Sequence, residues 1–153
     1  MAHNPVNHPM RPFYRALAAT AGGYLIVFGI VGLIVTSGHG LFGTPDDRVL
    51  GQGASLAWAI LSLIIGAVAL VAAVLGRNLD VSVNKYLGWG LLVLGSYELA
   101  ASRTDANFLK FTIATVIVVY LIGLVLLMAS LYTKIVPAEE AGAPRQVREG
   151  RTA

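Results

Sequence analysis

Glu98 is the side chain best placed to do chemistry in this sequence, because it lies near the end of a long apolar stretch. A carboxylate inside a membrane-spanning helix usually pairs with a cation, binds an ion or ligand, or carries protons. Three cations, Arg48, Arg103 and Lys110, fall in loops predicted at the same end of the helices. We expect a structural ion pair or hydrogen bond here, with exposure to interfacial water or a proton- or ligand-handling role as alternatives.

Residue sets typical of a catalytic or metal centre are missing from the sequence. The chain contains no cysteine, which excludes disulfides, thiolate metal sites and cysteine nucleophiles. His3 and His8 lie in a proline-containing N-terminal segment without a carboxylate, which is a poor metal site. Motifs of serine hydrolases, zinc proteases and nucleotide-binding loops are also absent. We therefore expect no catalytic residue, no bound metal and no cofactor.

The composition is that of a membrane protein. Of the 153 residues, 56% are hydrophobic and 12% are charged, whereas soluble domains carry about 25% charged residues. Four apolar segments, at about 16–36, 54–75, 82–102 and 111–132, approach the roughly 20 residues that cross a bilayer as a helix. The sequence thus predicts an all-α integral membrane protein, a bundle of four transmembrane helices in a lipid bilayer. No basic patch with interleaved aromatic residues supports nucleic-acid binding.

The bundle is predicted to occupy residues 15–134, between a mobile tail at 1–14 and a disordered tail at 135–153. The positive-inside rule places the side that is richer in Lys and Arg in the cytoplasm. Eight such residues fall on one side and three on the other, namely Arg11, Arg15, Arg77, Lys85, Lys134, Arg145, Arg148 and Arg151 against Arg48, Arg103 and Lys110. Both termini are therefore predicted to be cytoplasmic.

The third predicted helix has two contrasting sides. Heptad spacing defines a glycine side, which consists of Asn84, Gly88, Leu91, Gly95, Glu98 and Ser102. The opposite, aromatic side consists of Tyr86, Trp89, Val93 and Tyr97. Small residues let a second helix approach closely in lipid, so the glycine side should pack against neighbouring helices. The aromatic side is either a belt at the two membrane interfaces or a contact surface for a partner's transmembrane helix.

Two weaker patterns concern the other helices. The second and fourth spans align at an offset of 57, which pairs Gly66 with Gly123 and suggests two duplicated, parallel helical hairpins. Tyr120 falls near the middle of the fourth span, where a hydroxyl needs a partner. We expect the Tyr120 hydroxyl to bond to Ser62 of the second span or to a backbone carbonyl, or else to a local partner.

Two loops carry further expectations. Residues 37–53 should form a surface loop rather than a re-entrant turn, with His39 solvated. In the last loop, Thr104, Asp105 or Asn107 is expected to cap the fourth helix, because such side chains accept hydrogen bonds from its first amides.

Several segments resemble a bacterial family of small four-span membrane proteins catalogued as domain of unknown function 4383. The resemblance covers about residues 5–135, and its polar segments are more specific than its apolar ones. They are Asn7-His8-Pro9, Arg11-Pro12-Phe13-Tyr14-Arg15, Gly76-Arg77-Asn78-Leu79-Asp80 and Arg103-Thr104-Asp105-Ala106-Asn107-Phe108-Leu109, with Ile122-Gly123-Leu124-Val125-Leu126-Leu127 as the apolar one. The resemblance implies a multi-pass protein of the bacterial inner membrane. It implies no activity and no site residue.

Three classes of function fit these patterns. The favoured one is a non-enzymatic structural or accessory subunit that binds other membrane proteins or further copies of itself. The second is an oligomeric transporter of a small solute or ion, with Glu98 near its pathway. The third is a membrane-embedded enzyme acting on lipid or quinone with Glu98 and Arg103, for which the sequence offers neither a nucleophile nor a metal set.

Overall fold

The computed structural model describes residues 6–43 and 47–137, which form a bundle of four helices and one very short hairpin. The predicted disordered tail therefore falls almost entirely outside the described residues. In chain order the elements are α1 (Arg11–Val35), β1 (Arg48–Val49), β2 (Gln52–Gly53), α2 (Leu56–Leu75), α3 (Leu79–Ala101) and α4 (Ile113–Tyr132). Strands β1 and β2 pair antiparallel.

The helix ends follow from local side-chain chemistry. The Ser55 hydroxyl accepts a hydrogen bond from the backbone N–H of Trp58, which caps α2. Thr112 and Thr115 form a reciprocal capping box at the start of α4. The predicted caps of α4 were therefore placed too early in the loop. Asn107 instead exchanges two hydrogen bonds with the backbone of Phe111.

The link between α2 and α3 is a tight turn of left-handed residues. Gly76, Arg77 and Asn78 have φ of 64°, 54° and 65°. Gly76 ends α2, because a residue without a side chain adopts positive φ at little cost. The turn brings the start of α3 beside the end of α2.

Three of the described helices are long and apolar enough to cross a membrane, namely α1, α2 and α4. This agrees with a multi-pass membrane protein. Helix α3 has 23 residues but carries Asp80, Lys85 and Glu98, so its composition alone does not mark it as a span. Helix α1 also begins earlier than predicted, at Arg11, so residues 11–14 belong to the helix and not to the tail.

Helices α1 and α2 form one closely packed pair, and α3 and α4 form a second. Glycines allow the approach in both pairs. A methyl group added to Gly66 would lie 2.6 Å from the carbonyl oxygen of Gly22, and one added to Gly88 would lie 2.8 Å from that of Gly123. The glycine side of α3 is buried from Asn84 through Glu98, as its spacing predicts.

Each helix of the first pair has a counterpart in the second pair at a fixed interval along the chain. Helices α2 and α4 each have 20 residues, and each begins after a hydroxyl cap, the second 57 positions after the first. Helices α1 and α3 end 66 positions apart, and their buried Gly22 and Gly29 correspond at the same interval to Gly88 and Gly95. The helix boundaries and buried glycines are thus compatible with the duplication that the sequence suggests, although the two intervals differ.

The connection between α1 and α2 folds over the start of α4. The backbone of Gly53 donates to the Thr112 hydroxyl at 3.1 Å and accepts from the Thr115 hydroxyl at 2.8 Å. His39 is exposed to solvent, as expected, and its Nδ1 atom also lies 2.9 Å from a carboxylate oxygen of Asp47.

The glycine contact between α1 and α2 can be tested with Gly66→Ala. The added methyl group meets backbone atoms of α1 that cannot move independently, so we expect a loss of about 2–3 kcal/mol in the free energy of unfolding. Gly23→Ala is the matched control, since nothing lies within 4 Å of a methyl group at that position. Thermal unfolding in detergent micelles measures both, and equal midpoints would contradict the packing described.

Candidate functional site

A buried carboxylate, Asp80, lies where all four helices meet at one end of the bundle. Asp80 belongs to the first turn of α3 and its side chain has no exposed surface. Nη2 of Arg11 and Nε of Arg15 each lie 3.8 Å from its Oδ2 atom. We call these three residues the arginine–aspartate cluster. The negative charge also suits the positive end of the α3 dipole.

The two arginines also bind the ends of α2 and α4. Nε of Arg11 donates to the carbonyl of Thr133 at 2.9 Å. Arg15 donates to the carbonyls of Ala73 and Val74, each at 3.0 Å. Such cations satisfy the last carbonyls of a helix and oppose its negative end. The cluster therefore connects α1 to the other three helices through charged groups.

Two asparagine side chains reinforce the same end. The Asn78 amide exchanges two hydrogen bonds of 2.8 Å with the backbone of Ile135. The Asn7 amide does the same with Val136, at 2.9 and 3.0 Å. Asn7 lies in the predicted N-terminal tail, yet its backbone also donates to the carbonyl of Lys134. These bonds place the segment before α1 against the segment after α4.

The interior near this end is unusually polar. Asn84, one turn beyond Asp80 on the glycine side, is fully buried, and neither its oxygen nor its nitrogen has a hydrogen bond among the described residues. The Thr133 hydroxyl is buried in the same way. A polar group buried without a partner costs roughly 1–3 kcal/mol. These groups are therefore not explained by stability alone.

Glu98 lies on the same side of α3 at the opposite end and is also fully buried. Among the described residues, neither of its oxygens forms a hydrogen bond or an ion pair. The backbone of Leu109 and the ammonium of Lys110 are nevertheless near enough to attract the carboxylate, the first as a long hydrogen-bond donor and the second by its charge. Arg48 and Arg103 are exposed and form no ion pair with it. Of the three expected partners, Lys110 attracts Glu98 within the described part of the chain, but without forming an ion pair.

The Tyr120 hydroxyl lies 2.8 Å from the Ser96 hydroxyl of α3. The expected bond to Ser62 is thus wrong, and the Ser62 hydroxyl is buried without a hydrogen bond in the described segments. The Tyr120 side chain of α4 therefore contacts α3 and does not reach Ser62 on α2.

The aromatic side of α3 faces away from the other helices. Tyr86 is 74% exposed, Trp89 57%, Val93 66% and Tyr97 46%. Trp89 lies at the middle of the 23-residue helix rather than near either end. Tyr97 is partly covered by the ring of Phe108, with centroids 5.8 Å apart.

Within residues 6–43 and 47–137, no group of three or more His, Cys, Asp or Glu side chains could hold a metal ion.

The arginine–aspartate cluster was not among the residues singled out from the sequence. Asp80 falls between the second and third predicted spans, and the sequence patterns use the two arginines only for orientation and for the family resemblance. Strict heptad spacing continued back from Asn84 gives Val81, so this pattern misses Asp80, which lies four residues before Asn84. Arg11 and Arg15 continue the buried row of α1 that includes Ala18 and Gly22. Following that row to its end identifies the two arginines.

No family model matches the chain, and neither a curated protein nor a solved structure is similar to it. The site must therefore be interpreted from its own geometry.

Removing the charge of the cluster should destabilise the bundle. We expect Asp80→Asn to lose about 1–3 kcal/mol in the free energy of unfolding, since it leaves two cations facing each other. This loss is smaller than that expected for a fully buried ion pair, because the arginine side chains are 21% and 28% exposed and solvent screens their charges. Asp105→Asn, at an exposed loop position, is the control for thermal unfolding in detergent. Equal stability of the two variants would refute the role of the cluster.

Proposed function

We propose that this chain is a four-span protein of the bacterial inner membrane with both termini in the cytoplasm, and that it belongs to the family it resembles. The burial pattern of α3 supports the fourth span. Asp80, Asn84 and Glu98 face the other helices, and the exposed surface of α3 is mostly apolar or aromatic, with Lys85 near its start and two serines as the exceptions. A helix can cross a bilayer with ionisable residues when these face the interior of the bundle. The arginine–aspartate cluster then lies at the cytoplasmic end.

We further propose that the protein is a non-enzymatic accessory subunit, which binds another membrane protein or a second copy of itself through the aromatic side of α3. The observation that carries this proposal is the exposed Trp89 at the middle of the helix. Tryptophan favours the membrane interfaces, so a belt accounts for Tyr86 and Tyr97 but not for Trp89. A methyl group at the adjacent Gly90 would meet nothing within 4 Å, so a partner helix has room to approach.

Crosslinking from the aromatic side tests this function. The chain has no cysteine, so Val93→Cys can carry a single photoreactive group in native membranes. We expect one adduct of defined mass, which Trp89→Ala should weaken because it removes the central contact. An adduct at twice 16.1 kDa identifies a second copy, and any other defined mass identifies another protein.

Val71→Cys on α2 is the matched control, because this residue is 55% exposed on another helix. The same products from both positions, or none from Val93→Cys, would count against an accessory subunit.

Buried Glu98 favours a second candidate function, an oligomeric transporter of protons or small cations. A carboxylate that is fully buried without a hydrogen bond is costly, and such groups often mark ion or proton pathways in membranes. The third candidate, an enzyme acting on lipid or quinone, gains less support because Arg103 is exposed and does not pair with Glu98.

Glu98→Gln separates the transporter from the accessory subunit. In a transporter, reconstituted vesicles should lose proton or cation flux by at least about ten-fold, whereas Asp105→Asn should retain it. The thermal midpoint of Glu98→Gln should equal or exceed that of the native chain, because a neutral amide is less costly to bury than an unpaired carboxylate. Absence of flux in the native chain, or flux unaffected by Glu98→Gln, would remove the transporter.

A further inference from the structure

A cavity of about 470 Å³ opens between the start of α3 and the end of α4. Its lining combines a basic, polar end with an apolar wall. The residues are Asn78, Val81, Ser82, Lys85, Trp89, Leu127, Ser130, Leu131 and Lys134. Since α4 ends at Tyr132, the cavity extends from the last turns of a candidate span to the loop that follows it.

The polar end carries two cations, Lys85 on α3 and Lys134 just after α4. Both are exposed, and neither forms an ion pair with any residue in the described ranges. The Ser82 hydroxyl, also exposed, is a further donor between them. Below these groups, Trp89, Leu127 and Leu131 provide the apolar wall. The cavity thus presents donors and positive charge at one end and hydrocarbon at the other.

The α1–α2 pair shows that close helix packing does not require Lys85 or Trp89. At the corresponding positions, 66 residues earlier, α1 has Ala19 and Gly23. The α1–α2 pair nevertheless closes through its glycines in the same manner as α3–α4. Lys85 and Trp89 are therefore specific to the second hairpin, which points to a role in binding and not in folding.

We infer that this cavity binds one anionic phospholipid, with its phosphate between Lys85 and Lys134 and an acyl chain along Trp89 and Leu127. Basic pockets between transmembrane helices on the cytoplasmic side suit anionic headgroups. A zwitterionic lipid satisfies the two cations less well, and a free phosphate leaves the apolar wall uncovered. This inference rests on the proposed membrane insertion, but not on the accessory role.

Trp89 provides a direct readout. The full chain is placed in nanodiscs that contain lipids with brominated acyl chains, which quench tryptophan only on contact. Trp89→Phe retains buried Trp58 and gives the background signal. We expect brominated phosphatidylglycerol to bind at least about five-fold more tightly than brominated phosphatidylcholine. Each of Lys85→Gln and Lys134→Gln should lower this preference by about five-fold, the effect of one cation near the headgroups.

Arg77→Gln is the matched control, because Arg77 corresponds to Lys134 in the first hairpin and lies outside the cavity. It should leave the preference unchanged. Equal binding of the two lipids, or an equal effect of Arg77→Gln, would overturn the inference. Displacement of the lipid by millimolar inorganic phosphate would also overturn it, by showing a site for the free anion. Quenching by neither lipid would instead refute membrane insertion itself.

Discussion

The Asp80 carboxylate, buried between two arginines of α1, is the constraint on which the architecture depends. It belongs to the least apolar helix, and its ion pairs fix that helix to α1, while the same arginines bind the carbonyls that end α2 and α4. Burying a charged group costs less where opposite charges lie nearby, as the two arginines do for Asp80. One end of the protein is therefore held by charge, whereas the middle is held by glycine contacts.

The α1–α2 pair and the α3–α4 pair differ in where their polar groups occur. The α1–α2 pair is almost uniformly apolar, apart from the two arginines in the first turns of α1. The second hairpin keeps the same register of small residues but adds Asp80, Asn84 and Glu98 on the buried side of α3, together with Lys85 and Trp89 on other sides. The first hairpin acts as a scaffold in this account, and the features that support binding or transport are concentrated on α3.

Helical periodicity was sufficient to predict which side of α3 is buried, because glycine spacing and aromatic spacing give the same answer. It was insufficient for Tyr120, since the choice between Ser62 and Ser96 depends on a small rotation of α4 that a pattern of apolar residues does not fix. Asp80 was missed for a different reason, because its ion pairs with Arg11 join segments that are far apart in the chain. The contacts of Glu98 likewise depend on the loop before α4, whose path the sequence does not determine.

The central claim is that α3 crosses the membrane because Asp80, Asn84 and Glu98 face the other helices. Labelling from one side tests it most directly, with the single-cysteine variants Arg77→Cys and Asp105→Cys placed just before and just after the helix. In sealed vesicles with the cytoplasmic side inward, a membrane-impermeant maleimide should modify Asp105→Cys at once. It should reach Arg77→Cys only after the vesicles are permeabilised. Modification of both positions from the same side would contradict the four-span account.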